Sequence, residues 1–198
     1  CRKAPAFLKT RWVPPSTWAM AYYVSRLRYE PFGVVGIISP WNYPFSIAFA
    51  EVLPALLAGN GVILKTASQT PQTGRLLADL VDTLDLPEGL FHWLNMSGSE
   101  AGDALLENGV DKLFFTGSVG VGKYLMGKAA ESLTPVSLEL GGNDAMIVCR
   151  DADLDLAANG AVWAGLSNAG QSCGGVERIY VEQPVYDDFL QNLKARVQ

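Results

Sequence analysis

The feature that most constrains the fold of this chain is an alternation. Between Gly33 and Leu140, short apolar runs recur and each is followed by a stretch of helix length. Val34-Val35-Gly36-Ile37-Ile38, Val62-Ile63-Leu64-Lys65, residues 90–94, residues 112–116 and Val136-Ser137-Leu138-Glu139-Leu140 read as strands. Runs that are largely apolar, rather than apolar at every second position, belong to strands buried on both faces. Between them the sequence predicts helices over residues 45–58, from Thr70-Pro71 onward, over 99–107 and over 119–131. Gly59-Asn60-Gly61 is a helix stop, and Thr70 is expected to cap the helix that has Pro71 in its first turn. Such a pattern predicts right-handed βαβ units, hence an α/β fold with a parallel sheet and helices on both faces. Ligands of such sheets bind beyond the carboxyl ends of the strands. Asn42, Lys65, Gly117-Ser118 and Glu139 all fall at or just past predicted strand ends, and this coincidence points to a shared site.

The flanks read differently. Residues 1–12 have no clear period, Val13-Pro14-Pro15 is a breaker, and residues 22–29 are β-prone with partial alternation. They predict an edge strand or hairpin arm, serving an oligomer contact or forming an ordinary surface ribbon. After Gly142 a second unit is expected. It comprises a strand over 145–149, a helix from the Asp151-Ala152-Asp153-Leu154-Asp155 start to about residue 168, a strand over 178–182 and an amphipathic helix over 185–197. The aspartates suit the positive end of a helix dipole better than a calcium loop, whose remaining ligands are missing.

Composition narrows the function classes. The chain has 198 residues, 49% hydrophobic and 18% charged, enough for a substantial core. The net charge is −5 and the basic residues are not clustered, which argues against a nucleic-acid partner. Three cysteines without a C-x-x-C pair fit a reducing compartment, here the cytoplasm, and a single histidine, His92, nearly excludes a metal site or a Ser-His triad. No apolar run has the length of a membrane span. The sequence begins with Cys1 and stops at Gln198 inside a predicted helix, so it reads as part of a longer polypeptide. Cys149, His92 and most of the five Trp and eight Phe are expected to be structural, largely core, residues.

Several segments have the residue types of a reaction centre. Cys173 lies among glycines in Gly170-Gln171-Ser172-Cys173-Gly174, as a nucleophile on a tight loop would. Glu139 stands in Leu138-Glu139-Leu140-Gly141-Gly142, where a carboxylate can serve as general base. Asn42, framed by Pro40 and Pro44, can donate to a developing oxyanion, or simply satisfy its own turn. Phe115-Thr116-Gly117-Ser118-Val119-Gly120-Val121-Gly122-Lys123 is strand, glycine turn, helix. It either faces a phosphate or serves close helix–strand packing, and it matches neither the P-loop nor the usual dinucleotide fingerprint. Lys65, at a strand end, can bind ribose hydroxyls or a phosphate, or snorkel as a surface lysine.

Taken together, in this order and spacing over residues 28–182, these motifs resemble the NAD(P)-dependent aldehyde dehydrogenases. The resemblance implies a Rossmann-like parallel sheet followed by the start of a second α/β catalytic domain. Its divisions would be a remnant at 1–12, a bridging and oligomerisation ribbon at 13–31, the cofactor domain at 32–140 and the opening of the catalytic domain at 141–198. It implies Cys173 as nucleophile, Glu139 as the base that activates water, and Asn42 as oxyanion donor. Ser39, Pro40, Trp41, Lys65, Ser68, Gly117, Ser118, Gly122, Leu140 and Gly141 would contact NAD or NADP. The implied reaction passes through a thiohemiacetal, hydride transfer to the nicotinamide, and a thioester hydrolysed by water. A small aldehyde is the implied partner, with neither nucleic acid nor membrane, and a homo-dimer or tetramer the implied assembly. A coenzyme-A-acylating relative would not need Glu139; a cofactor-binding or structural remnant without turnover is the alternative of another class. Where family members selective for NAD often have Glu, this chain has Ser68, which removes repulsion against a 2′-phosphate and implies that NADP is accepted. Where many members have Lys, it has Glu51, expected to weaken support for cofactor or transition state. Asn143 stands where Lys is frequent.

Overall fold

The computed structural model describes residues 4–197, so the expectations for Cys1 and Gln198 lie outside the described residues. The chain divides into two compact units, residues 4–116 with 120–138, and residues 117–119 with 139–197.

The first unit opens with a short helix α1 (Ala4–Phe7) and an antiparallel ribbon, β1 (Arg11–Val13) with β2 (Ser25–Leu27), registered Arg11↔Leu27 and Val13↔Ser25. The hairpin arm expected at 22–29 is β2; its partner β1 lies in a stretch without visible period, because three residues are too few to show one. Both strands are exposed along their length.

The sheet follows. Strands β3 (Val34–Ile38), β4 (Gly61–Lys65), β5 (Phe91–Leu94), β6 (Lys112–Gly117) and β7 (Val136–Leu140) are ordered β5-β4-β3-β6-β7. Helices α2 (Ser46–Leu57), α3 (Pro71–Asp82), α4 (Gly98–Glu107) and α5 (Val119–Glu131) connect them. Alternate residues of the central strands go to opposite faces. Val35, Ile37, Val62 and Leu64 form one buried cluster with Ala48, Val52 and Ala55 of α2 and Leu77 of α3. On the other face, a Cβ at Gly36 would lie 3.2 Å from Leu105 of α4 and 3.3 Å from Leu113, and one at Gly102 would collide with Leu125 of α5. Glycine at these two positions lets α4 and α5 close on the sheet. The parallel α/β sheet with both faces covered is therefore present.

Helix ends follow local chemistry. Gly59 stops α2 with φ +88, a left-handed conformation that costs a residue with a side chain about 1–2 kcal/mol. Ser97 and Glu100 form a capping box at α4, each side chain satisfying the other's backbone N–H. The helix begins at Gly98, one residue before the expected start at Ser99. The expected Thr70 cap is corrected: Thr70 precedes α3 but its side chain makes no capping bond, and its hydroxyl is buried without a hydrogen-bond partner. At ψ 49 its backbone is outside the extended region that an N-cap usually adopts.

The second unit pairs β8 (Asp144–Val148) with β9 (Val176–Val181) in parallel and backs them with α6 (Leu154–Leu166) and α7 (Tyr186–Val197). Val148, Ala158, Ala161 and Phe189 are its core. Asp153 caps α6, its carboxylate accepting from the N–H groups of Asp155 and Leu156 at 3.0 Å. Three expectations are corrected here. The helix ends at Leu166, two residues early, because Asn168 and Ala169 turn left-handed at φ 52 and 57. Cys149 is exposed: β8 ends on inward-facing Val148, so the next residue faces out. The aromatics are not mainly core, for Trp12, Trp18, Trp41, Trp163, Phe7, Phe32 and Phe45 are all exposed, while Phe115 and Phe189 are buried. Trp12 and Trp18 belong to the ribbon region and Trp163 to α6, where nothing of the same unit covers them. His92, on sheet-edge strand β5, is also exposed.

Candidate active site and cofactor-binding edge

Register aligns the strand ends that bear the site. Ile38, the last residue of β3, pairs with Lys65 of β4 on one side and Phe115 of β6 on the other. Ser39-Pro40-Trp41-Asn42, Thr66-Ala67-Ser68 and Thr116-Gly117-Ser118 therefore leave aligned strand ends.

Within the first unit, Ser39 and Lys65 form a polar pair sunk in the sheet edge. The Ser39 N–H donates to the Lys65 carbonyl at 3.0 Å. Lys65 is only 5% exposed, so it is no snorkelling surface lysine. Burial holds its pKa below the ordinary lysine value, because the charged form has lost solvent. Its ammonium faces the amino end of α4, where a Cβ on Gly98, the helix's first residue, would lie 3.5 Å from Nζ. The Ser39 hydroxyl is 2% exposed and has no hydrogen-bond partner. A desolvated cation and an orphaned hydroxyl beside a helix amino end together fit a ligand with phosphate and ribose oxygens. Ser68 is exposed three residues past Lys65. Trp41 is exposed and Asn42 half-buried in the loop that leads into α2.

Below this edge, the Trp93 indole N–H donates to Thr66 Oγ1 at 3.2 Å. Thr116, 7% exposed, donates its hydroxyl proton to Glu51 Oε1 of α2 at 3.0 Å. Sequence reasoning placed Glu51 only as a departure from the family pattern. Its partner is 65 residues away, and no local signal could have named it. In the glycine turn, Gly117 is half-buried, Ser118 exposed and Gly122 buried. A Cβ at Gly120 would meet nothing within 4 Å, so the first turn of α5 is open.

The second unit holds the proposed base and nucleophile. Glu139, at the end of β7, is exposed, with half-buried Leu140 and exposed Gly141 after it. Asn143 gains a role that the sequence did not suggest. Its amide donates to Glu177 Oε2, and its carbonyl accepts from Arg178 Nη2 at 2.6 Å. The segment after Glu139 is thereby tied to β9, close in sequence to Cys173. Cys173 is exposed at a central position of a turn closed by the Gly175 N–H on the Ser172 carbonyl, 3.2 Å. Before it, Asn168, Ala169 and Gly170 are left-handed in succession. A left-handed alanine costs about 1–2 kcal/mol, and such strain gathers at functional loops.

The aldehyde dehydrogenase family model matches residues 6–198. Among curated relatives, 4,4'-diapolycopene aldehyde oxidase of Methylomonas sp. is 45% identical over 97% of this chain and 36% of its own length. Glutarate-semialdehyde dehydrogenase of Pseudomonas aeruginosa is 44% identical over 85% of this chain and 35% of its own. Among solved structures, an E. coli NADP dependent enzyme superposes with TM-score 0.91 at 38% identity, covering 98% of this chain and 40% of that one. The chain spans little more than a third of the length of these relatives. With the family model matched over nearly its whole length and the fold shared with solved members, this chain belongs to the aldehyde dehydrogenase family.

Proposed function

We propose that this chain is the cofactor-binding and nucleophile-bearing part of an enzyme that oxidises an aldehyde to a carboxylic acid with NADP or NAD. The observation that carries the reading is Cys173, a thiol exposed at the tip of a turn that follows three left-handed residues. Its thiolate attacks the aldehyde carbon and forms the C–S bond. The carbonyl electron pair moves to oxygen, and the Asn42 side-chain amide and the Cys173 backbone N–H donate to that oxyanion. A bound nicotinamide dinucleotide supplies a two-electron hydride acceptor. Cys173 then holds the acyl group as a thioester. Glu139 takes a proton from water as the water oxygen attacks, the C–S bond breaks, and the acid leaves.

Lys65 and Ser39 would hold the cofactor's ribose and phosphate oxygens, with Ser68, Pro40, Trp41, Gly117, Ser118, Gly122, Leu140 and Gly141 around it. Ser68 puts no carboxylate beside Lys65, and this favours acceptance of a 2′-phosphate. The ribbon within 13–31, exposed and aromatic, is assigned to assembly between copies, 32–140 to cofactor binding, and 141–198 to the opening of the catalytic part. No helix among the described residues is long and apolar enough to cross a membrane, and the unpaired cysteines suit the cytoplasm.

The test is reduced-nicotinamide absorbance on the full-length enzyme, with short, aromatic and semialdehyde substrates and both cofactors. Cys173→Ser is expected to abolish turnover and keep cofactor binding. Glu139→Gln should release at most one equivalent of reduced cofactor per subunit and then stall. Ser68→Glu should shift the kcat/KM ratio towards NAD by about tenfold, the effect of ~1.4 kcal/mol of repulsion. Full turnover in Cys173→Ser overturns the mechanism, and a strong native preference for NAD overturns the Ser68 argument.

A further inference from the structure

We infer that Glu51 is a positioning residue for the cofactor, acting through Thr116; this rests on the proposed dehydrogenase reading. The last register pair between β3 and β6 is Ile38↔Phe115. Beyond it, Thr116 has no partner residue on β3, yet it directly precedes the Gly117-Ser118 turn and α5. What holds this strand end from the α2 side is a side chain: the buried Thr116 hydroxyl donates to Glu51 Oε1 at 3.0 Å. Glu51 stands on α2, the helix that follows directly from the Pro40-Trp41-Asn42 loop. One hydrogen bond thus braces the helix behind the oxyanion loop against the strand that delivers the glycine turn. A carboxylate suits the task because it can only accept, so Thr116 must donate, and its rotamer is set. Losing the brace leaves the end of β6 held only from its β7 side, and the open first turn of α5 would then present its N–H groups less well to a phosphate.

The experiment uses the full-length enzyme. The dissociation constants of NADP and NAD are measured by fluorescence titration, alongside the thermal midpoint and the KM for aldehyde at saturating cofactor. The variants are Glu51→Ala, Glu51→Gln, Thr116→Val and the Glu51→Ala/Thr116→Val double. Loss of one hydrogen bond predicts cofactor binding weakened about 3- to 10-fold in Glu51→Ala and Thr116→Val. The double should be no weaker than the worse single, since both remove the same contact. Glu51→Gln, which keeps an acceptor oxygen, should bind near the native level, with the KM for aldehyde unmoved throughout. Unchanged cofactor affinity in Thr116→Val with a lowered thermal midpoint would make the contact structural only and overturn the inference. Additive losses in the double would overturn it too. Failure of the native enzyme to bind either dinucleotide would remove the underlying reading itself, an outcome distinct from both.

Discussion

Asn60 shows how much one buried side chain can hold. Its Oδ1 accepts from the N–H groups of Phe32 at 2.7 Å and Gly33 at 3.2 Å, and its Nδ2 donates to the Ala55 carbonyl at 2.9 Å. At 4% exposure it joins the approach to β3 to the end of α2. Asn60→Ala would leave these groups unpaired and is expected to cost about 1–3 kcal/mol, read as a lower urea midpoint at unchanged slope. Asn60→Asp, which keeps the acceptor, should lose less. Lys65 makes a prediction of the opposite sign. Its folded pKa is depressed below the ordinary 10.5 by burial, so the unfolded chain binds its proton more tightly. The cost of burying the charge is fully present below the folded value and is relieved as pH rises through that value towards 10.5. Without cofactor, Lys65→Met should therefore be no less stable than the native protein at pH 7, and any advantage should shrink towards pH 10, measured as thermal midpoints. With cofactor the order should reverse, because an anion restores the lysine's charge.

Two helical glycines separate propensity from packing at the scale of the element. Glycine costs a helix about 0.5–1 kcal/mol relative to alanine. Gly127, exposed in α5, has nothing within 4 Å of a built Cβ, so Gly127→Ala should stabilise by that amount. Gly74 of α3 lies against Trp93 and Thr66, and a Cβ there would collide with the Trp93 indole nitrogen and Thr66 Oγ1. Gly74→Ala should destabilise by about 1–3 kcal/mol and shift the Trp93 emission, since α3 must move off β5. In the second unit, β8 and β9 are locked at their ends by Glu182. It accepts from the Arg150 backbone N–H and from Arg150 Nη2 at 2.8 Å. The Arg150 side chain, then its backbone N–H, hold the Glu182 pKa at about 2, below the ordinary 4.5. A depressed carboxylate contributes stability that is complete above 4.5 and lost as pH falls through about 2. The difference in thermal midpoint between native protein and Glu182→Gln should be constant from pH 7 to about 5 and close as the solution is acidified.

Across the molecule, what was legible and what was not divide along a physical line. The order and type of nearly every sheet strand and helix from β3 to α7 followed from the amino acids, because hydrophobic period, glycine stops and capping acids act within a few residues. Motif order and spacing did the same for the family and for Cys173, Glu139, Asn42 and Lys65 as candidates. The three-residue strand β1 stayed hidden because no period fits in so short a run. The exposed tryptophans stayed hidden because composition records how apolar a side chain is, not whether its own unit has a surface to cover it. Lys65 read equally as a surface lysine until the flanking strands and α4 enclosed it, and enclosure is what lowers its pKa. The Glu51–Thr116 bond joins residues 65 positions apart, and the Asn143–Glu177 bond joins residues 34 apart. By itself, then, the sequence determined the elements, their order and the chemical groups at the strand ends, since these depend on near neighbours along the chain. Only the tertiary structure decided which of those groups are desolvated, which are braced and by whom, since those properties belong to neighbours that arrive through folding.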